Sequence, residues 1–275
     1  MNDMTIQQPD LSVVRVRHAL KARLLRATRV QSVTPHLLRV TVAGADLEGF
    51  ESASFDDHVK VFFPVPGEDK PLMPVFGPNG PIFSAQEPRP VSRDFTPRRY
   101  DADAGELDIE FALHGTGPAT HWAAQARVGQ YLGIGGPRGS MIIPTSFDWH
   151  MLIGDETALP AIARRVEELP AGTRVIALME VGQPDARIPF DTKADLSAEW
   201  RFRSEAEFPG AGLLAALREI AMPEGEGYVW AAGESSLIRA ARQVLCDERG
   251  IDKKRIRAAS YWKRGVDAVH ETIDD

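Results

Sequence analysis

Residues 149–168, WHMLIGDETALPAIARRVEE, pass from an unbroken apolar run into an amphipathic segment. The run Trp149–Gly154 is short and continuously apolar, which predicts a strand buried on both faces, whereas Ala158–Glu168 predicts a helix. The alternation continues: Thr173–Val181 predicts a strand, Ala211–Ile220 a helix, Tyr228–Ala232 a strand, Ser235–Arg249 a helix and Ile256–Trp262 a last strand. Strands alternating with helices predict a parallel sheet with helices on both faces over residues 147–266.

Upstream the pattern is different. Short alternating segments at Lys21–Val33, Leu37–Val42, His58–Phe63, Arg93–Tyr100 and Glu106–Leu113 are bounded by Pro, Gly or Asp, which predicts a small β-barrel or sandwich over residues 15–146. The stretch Pro64–Pro90 is dense in proline and glycine and predicts a long loop. Gly117–Ala126 predicts one short helix opened by Pro118. The first fourteen residues read as frayed, and the last ten as an acidic tail.

At 275 residues, with 43% hydrophobic and 26% charged residues, the chain has room for two globular domains. A net charge of −7 excludes a broad basic face for duplex nucleic acid but not a local basic pocket. The single cysteine, Cys246, excludes an internal disulfide and reads as a small buried residue on a helix. No apolar run approaches the ~20 residues of a membrane span, and the polar N-terminus lacks a signal-peptide core. A cytoplasmic protein is expected.

Four motifs carry chemistry. In VSRDFTPRR, residues 91–99, two arginines flank a ring and a hydroxyl, a set suited to a diphosphate and a flat redox ring. Strand alternation puts Arg93, Phe95 and Pro97 on one face and Asp94, Thr96 and Arg98 on the other, so a shared ligand requires either a bend at Pro97 or a ligand that lies along the strand's edge. Two arginines on a solvated strand give the same pattern. His114-Gly115-Thr116-Gly117-Pro118-Ala119-Thr120 runs through a glycine turn into a helix start, where unpaired amides favour anions. Gly133–Ser140, with Pro137, Arg138, Gly139 and Ser140 at its end, is a glycine-rich turn that lacks the third glycine of the dinucleotide fingerprint. Asp155, Glu156 and Thr157 lie where the first parallel strand meets its helix, the position at which nucleotides approach such sheets, and they equally suit helix capping.

Taken in order, R-x-F-T-x-R, HGxGPAxxW, GPRGS, DETALPAI, AAGESSLIRAAR and YWKRG resemble the siderophore-interacting protein family over about residues 18–266. These are flavin-dependent ferric-siderophore reductases of the ferredoxin reductase superfamily. The resemblance implies a two-domain β plus α/β fold: an antiparallel six-stranded FAD-binding barrel, then a parallel-sheet NAD(P)H-binding domain. It implies that Arg93 and Arg98 hold the flavin's phosphate chain or ring edge and that Thr96 bonds near its hydride-accepting nitrogen. Phe95 stands where the family usually has tyrosine, which removes one hydrogen bond of about 0.5–1.5 kcal/mol. His114 to Thr120 and Pro137 to Ser140 are expected at the isoalloxazine edge, diphosphate and adenosine. Asp155, Glu156, Thr157, Glu180, Gly233 and Glu234 are expected on the nicotinamide side.

The implied substrate is a ferric siderophore, for which Lys60, Lys263 and Arg264 are the candidate cations. NADH or NADPH would supply hydride, a ferredoxin is another conceivable donor, and iron would leave as Fe(II). Arg187 and Arg239 are the candidates for a 2′-phosphate. Two alternatives stay open: a general NAD(P)H:flavin or ferredoxin-type reductase, and an FAD-containing siderophore binder without turnover.

Overall fold

The computed structural model describes residues 10–77, 80–82, 90–113, 117–266 and 271–273. In the N-terminal half the strands are β1 (Val14–Arg17), β2 (Ala22–Thr34), β3 (Leu37–Ala43), β4 (Val59–Phe63), β5 (Val75–Gly77) and β6 (Gly80–Ile82). They are followed by β7 (Val91–Phe95), β8 (Pro97–Asp101), β9 (Glu106–Ala112), β10 (Tyr131–Gly135) and β11 (Gly139–Ile142). Leu25 and Ala27, Val40 and Val42, Val59 and Val61, Leu107 and Ile109, Leu132 and Ile134 recur every second residue and are all buried in one core. That period of two turns one face of each strand inward.

The sheet has seven strands in the order β7-β4-β10-β2-β3-β9-β8 and not the six of the expected barrel. Its two edge strands, β7 and β8, are consecutive in the chain with only Thr96 between them. A one-residue link between opposite edges requires the sheet to curl until those edges meet at a corner. The expected single strand Arg93–Tyr100 therefore breaks in two, because Pro97 brings no N–H to a ladder and the register slips between Pro97 and Arg99. Beside this sheet, β1 and β11 form an antiparallel ribbon, and β5 and β6 form a hairpin inside the stretch read as loop. The helix α1 (Pro118–Ala124) buries Trp122 and Ala123 beneath the sheet, with Trp122 against Phe63 and Phe111.

The C-terminal half comprises β12 (Trp149–Asp155), α2 (Leu159–Glu168), β13 (Arg174–Val181), β14 (Asp195–Phe202) and α3 (Ala211–Glu219), then β15 (Gly227–Glu234), α4 (Ser235–Gln243), β16 (Ile256–Trp262) and β17 (Glu271–Thr272). The sheet order is β14-β13-β12-β15-β16-β17, parallel except at β17. Leu152, Val175 and Trp230 pack on one face with α2, and Met151, Leu178 and Val229 on the other with α3 and α4. Two strands are corrections to the sequence reading. Edge strand β14 alternates polar residues with Leu196, Trp200 and Phe202, which pack on the core, and β17 lies in the supposed tail, where Ile273 is buried. Cys246 is half-buried in a π-helical turn, Val244–Glu248, that continues α4, rather than fully buried.

The halves are joined by a wedge. Phe55 packs edge-on against Trp230, and Asp56 accepts from the Trp230 indole at 2.8 Å and from Arg257 Nε at 3.1 Å. Arg164 on α2 donates to Ser52 Oγ at 2.8 Å and to the Pro97 carbonyl at 2.9 Å, which ties the corner at Thr96 to the second domain.

Candidate functional site

The carboxyl ends of the parallel strands face the β7–β8 corner. Thr96 is buried there and hydrogen-bonded to the phenol of Tyr261 on β16. Burial, with Asp56 adding to it, pushes that phenol above its ordinary range. One residue on, Trp262 Nε1 donates to Asp155 Oδ2 at 2.8 Å.

Asp155 is the hub. The same Oδ2 accepts from the Glu234 amide at 2.8 Å, while Oδ1 accepts from the Thr157 amide at 2.9 Å and its hydroxyl at 2.5 Å. One buried carboxylate thus ties together the ends of β12, β15 and β16. Burial pushes its pKa up, and the neighbouring Glu156 pushes it further. Gly233 has φ 150°, and a Cβ there would lie 2.6 Å from Asp155 Oδ2, so glycine is required for the approach.

Beside the hub, Arg203 pairs with Glu156 and lies 3.8 Å from Glu180, whose carboxylate caps the Gly210 amide at 2.8 and 3.0 Å. Burial raises the Glu180 pKa. Arg203 is absent from the sequence reading because it follows β14, the strand that reading overlooked. Glu156 Oε2 is buried without a hydrogen-bond partner.

Several expected ligands are engaged by the protein itself. Arg98 is 8% exposed and donates to Glu167 through both terminal nitrogens, one at 2.8 Å, with Glu110 at 3.7 Å from Nε. It is a strut between the two domains. Ser140 is buried, with its hydroxyl donating to Asp57 at 2.7 Å, accepting from the Ala53 amide at 3.1 Å and 2.7 Å from His18 Nε2. Gly139 lies against β1, where a Cβ would meet the Val16 carbonyl at 2.3 Å. Glu234 caps α4 through Ser236 and Leu237, and although burial opposes it, these hydrogen bonds hold its carboxyl below the usual range. Phe95 packs on the sheet's inner face with its ring 4.6 Å from Phe111 and 6.3 Å from Phe63, so it is built into the core side of the corner. Lys60 is bonded to Asp94 at 2.7 Å across the β4–β7 ladder, which pairs the candidate substrate cation with an anion.

Other expected residues remain accessible. Arg93 is half-buried on β7 and donates to the Ser92 carbonyl at 2.8 Å. Pro118 is exposed and Ala119 and Thr120 half-buried at the start of α1, which has no side-chain cap. Arg138 is exposed, whereas its neighbour Pro137 is an exception and is buried. Lys263 and Arg264 sit on an exposed turn after β16, with the Arg264 amide 3.3 Å from Glu234 Oε1. His114, Gly115 and Thr116 lie outside the described residues. Of the 2′-phosphate candidates, Arg239 pairs with Glu271 at 3.1 Å, and Arg187 lies over the Phe202 ring at 5.7 Å.

A guanidinium at Arg93, a hydroxyl at Thr96 and the Arg203–Glu156 pair at the meeting of a curled sheet and a parallel sheet are a donor set that fits a flavin and a nicotinamide.

The family described as siderophore-interacting FAD-binding domain matches residues 26–141, and the one described as siderophore-interacting protein matches residues 147–265. The chain is similar to ferric vibriobactin reductase ViuB of Vibrio cholerae, 34% identical over 254 residues covering 90% of this chain and 93% of the relative. It is similar to the NADPH-dependent ferric-chelate reductase of Escherichia coli, 34% identical over 251 residues covering 90% and 95%. A crystal structure of a siderophore utilization protein from T. fusca superposes with a TM-score of 0.86 at 38% identity, covering 94% of this chain and 98% of that one.

Proposed function

The chain belongs to the siderophore-interacting protein family, and on that premise we propose that it is an FAD-containing, NAD(P)H-dependent ferric-siderophore reductase. The observation that carries this reading is likeness over nearly the full length of two relatives named as ferric reductases, across both domains at once. Residues 15–146 would hold the flavin and residues 147–266 the nicotinamide, with iron released as Fe(II) in the cytoplasm.

When bound, FAD converts a two-electron hydride donor into a one-electron source for iron(III), and softer iron(II) leaves hard oxygen donors more readily. The protein's own residues position and exclude. Arg93 would neutralise phosphate at the β7 edge, and Thr96, oriented by Tyr261, would present its hydroxyl to the redox ring. Asp155 holds the three strand ends in register, and Glu156, fixed by Arg203, would stand on the nicotinamide side. Lys263 and Arg264 would attract an anionic chelate on an otherwise acidic protein, through local field rather than net charge.

The test is anaerobic. The purified protein should be yellow, bleach with NADPH or NADH, and regain colour on adding ferric siderophore while an iron(II) trap develops. Bleaching without iron(II) would favour a reductase with another acceptor, and a flavin reduced by ferredoxin alone would replace the nicotinamide as donor. Failure to take up FAD at all would overturn the reading.

A further inference from the structure

In an open parallel sheet a dinucleotide crosses the carboxyl ends of the strands, and an acid beyond the first turn bonds a free 2′-hydroxyl of the adenosine ribose, whereas a nearby arginine accepts a 2′-phosphate. Here Glu180, at the end of β13, stands in the acid's place. It is withdrawn: it is 1% exposed, and both of its oxygens accept from the Gly210 amide. Sealed in this way, it is not offered to a 2′-hydroxyl.

The arginine that is offered is Arg187. The chain leaves β13 at Val181, makes a short 3-10 turn over Pro184–Ala186 and presents Arg187 directly after it, exposed. Its Nε donates to the Pro184 carbonyl at 3.1 Å, and its guanidinium lies over the Phe202 ring at 5.7 Å. These contacts hold the side chain while leaving the terminal nitrogens for a phosphate, which they can grip through two parallel hydrogen bonds. Among the described residues no carboxylate pairs with it, and Asp185, two residues earlier, is bonded to His36 Nε2 at 2.9 Å. Arg201, Arg203 and Arg239, by contrast, are paired with Glu199, Glu156 and Glu271.

The second wall comes from the loop after β14. The Ser204 amide donates to the Gly182 carbonyl at 3.1 Å and the Gly210 amide to Glu180, which draws residues 203–210 over the end of β13. On this loop Phe208 is 55% exposed, so the same strand end also offers a flat apolar face of the kind on which an adenine rests. We propose that Arg187 is the specificity-determining residue for the electron donor: it receives the 2′-phosphate of NADPH, with the adenine on Phe208, and the chain takes NADPH in preference to NADH. The inference rests on the nicotinamide-dependent reading and sharpens it.

The experiment titrates the flavin-loaded protein calorimetrically with 2′,5′-ADP and 5′-AMP, which carry the adenosine end alone and cannot reduce flavin. Wild type should bind 2′,5′-ADP at least about tenfold more tightly than 5′-AMP, and added salt should narrow the gap. Arg187→Ala should bring the two within about threefold of each other, and Phe208→Ala should weaken both by a common factor. In turnover, the NADPH-to-NADH ratio of kcat/KM should fall at least about tenfold in Arg187→Ala, through KM for NADPH. Equal binding of the two nucleotides by wild type, tighter binding of 5′-AMP, or a preference that survives Arg187→Ala would overturn the proposal and leave a nicotinamide-dependent reductase in place. A flavin that neither NADPH nor NADH reduces would instead overturn the reading on which the proposal rests.

Discussion

The indole of Trp262 donates to Asp155 at 2.8 Å, and the acceptor oxygen is shared with the Glu234 amide. The last residue of β16 is thereby fastened to the last residue of β12 across the intervening β15. Trp262→Phe keeps most of the packing and deletes only the donor. It should cost about 1–3 kcal/mol in urea unfolding. Asp155→Asn should cost more, because its amide nitrogen would face two donors whichever oxygen it replaces and could accept from neither. If the second variant were as stable as wild type, Asp155 would not be the hub.

Arg98 separates two roles that the motif R-x-F-T-x-R blends. Arg98→Ala deprives the Glu167 carboxylate of this partner, while Glu110 keeps Arg39 at 2.9 Å through Nε, and loss of the charged hydrogen bonds between the domains should cost about 1–3 kcal/mol. FAD affinity of the folded variant should stay within about threefold of wild type, whereas Arg93→Ala should lose at least about tenfold. Equilibrium FAD titration of both proteins checks the contrast, and equal losses would return Arg98 to the flavin site.

The curled sheet and the alternating α/β half were legible because period-two burial at Leu25, Ala27, Val40 and Val42 and the apolar run Trp149–Gly154 are local patterns. Strand β14 was overlooked although Leu196, Trp200 and Phe202 alternate inward against the core, because it lies on the sheet edge with Asp195, Ser197, Glu199 and Arg201 between them and follows another strand with no α-helix intervening. At the site, motif spacing located Arg93, Thr96 and Asp155 but not their partners. Glu167, the partner of Arg98, lies 69 residues away, and Trp262, the partner of Asp155, lies 107 away. Whether a charged side chain is offered to a ligand or spent inside the protein depends on those distant partners, which no short motif encodes.

Lys60 and Asp94 provide a test of substrate attraction. Their 2.7 Å pair is largely exposed, so it contributes little stability, yet it cancels a cation near the corner. Asp94→Asn should lower KM for an anionic ferric chelate by roughly two- to fivefold, leave kcat unchanged and steepen the dependence on salt. Lys263→Ala should raise the same KM without loss of flavin. An Asp94→Asn variant with unaltered KM would remove Lys60 from the substrate path.

His150, buried in β12, governs an acid-side loss of stability. Burial, with Arg165 adding to it, lowers its pKa from 6.5 to about 3, and its Nε2 has no partner. Between those values the unfolded chain takes up a proton at this position and the folded chain does not. Stability contributed by the neutral ring is therefore complete above about pH 6.5 and falls as pH drops toward 3, with a limiting slope of about 1.4 kcal/mol per pH unit. Asp155, Glu180 and Asp57 act in the opposite sense, since burial raises their folded pKa values and the native state takes up protons ahead of the unfolded chain as pH falls. A difference measurement isolates the histidine. Relative to His150→Gln, wild type should lose stability steadily from pH 6.5 to 5 in urea unfolding, and parallel curves for the two proteins would show that His150 titrates alike in both states.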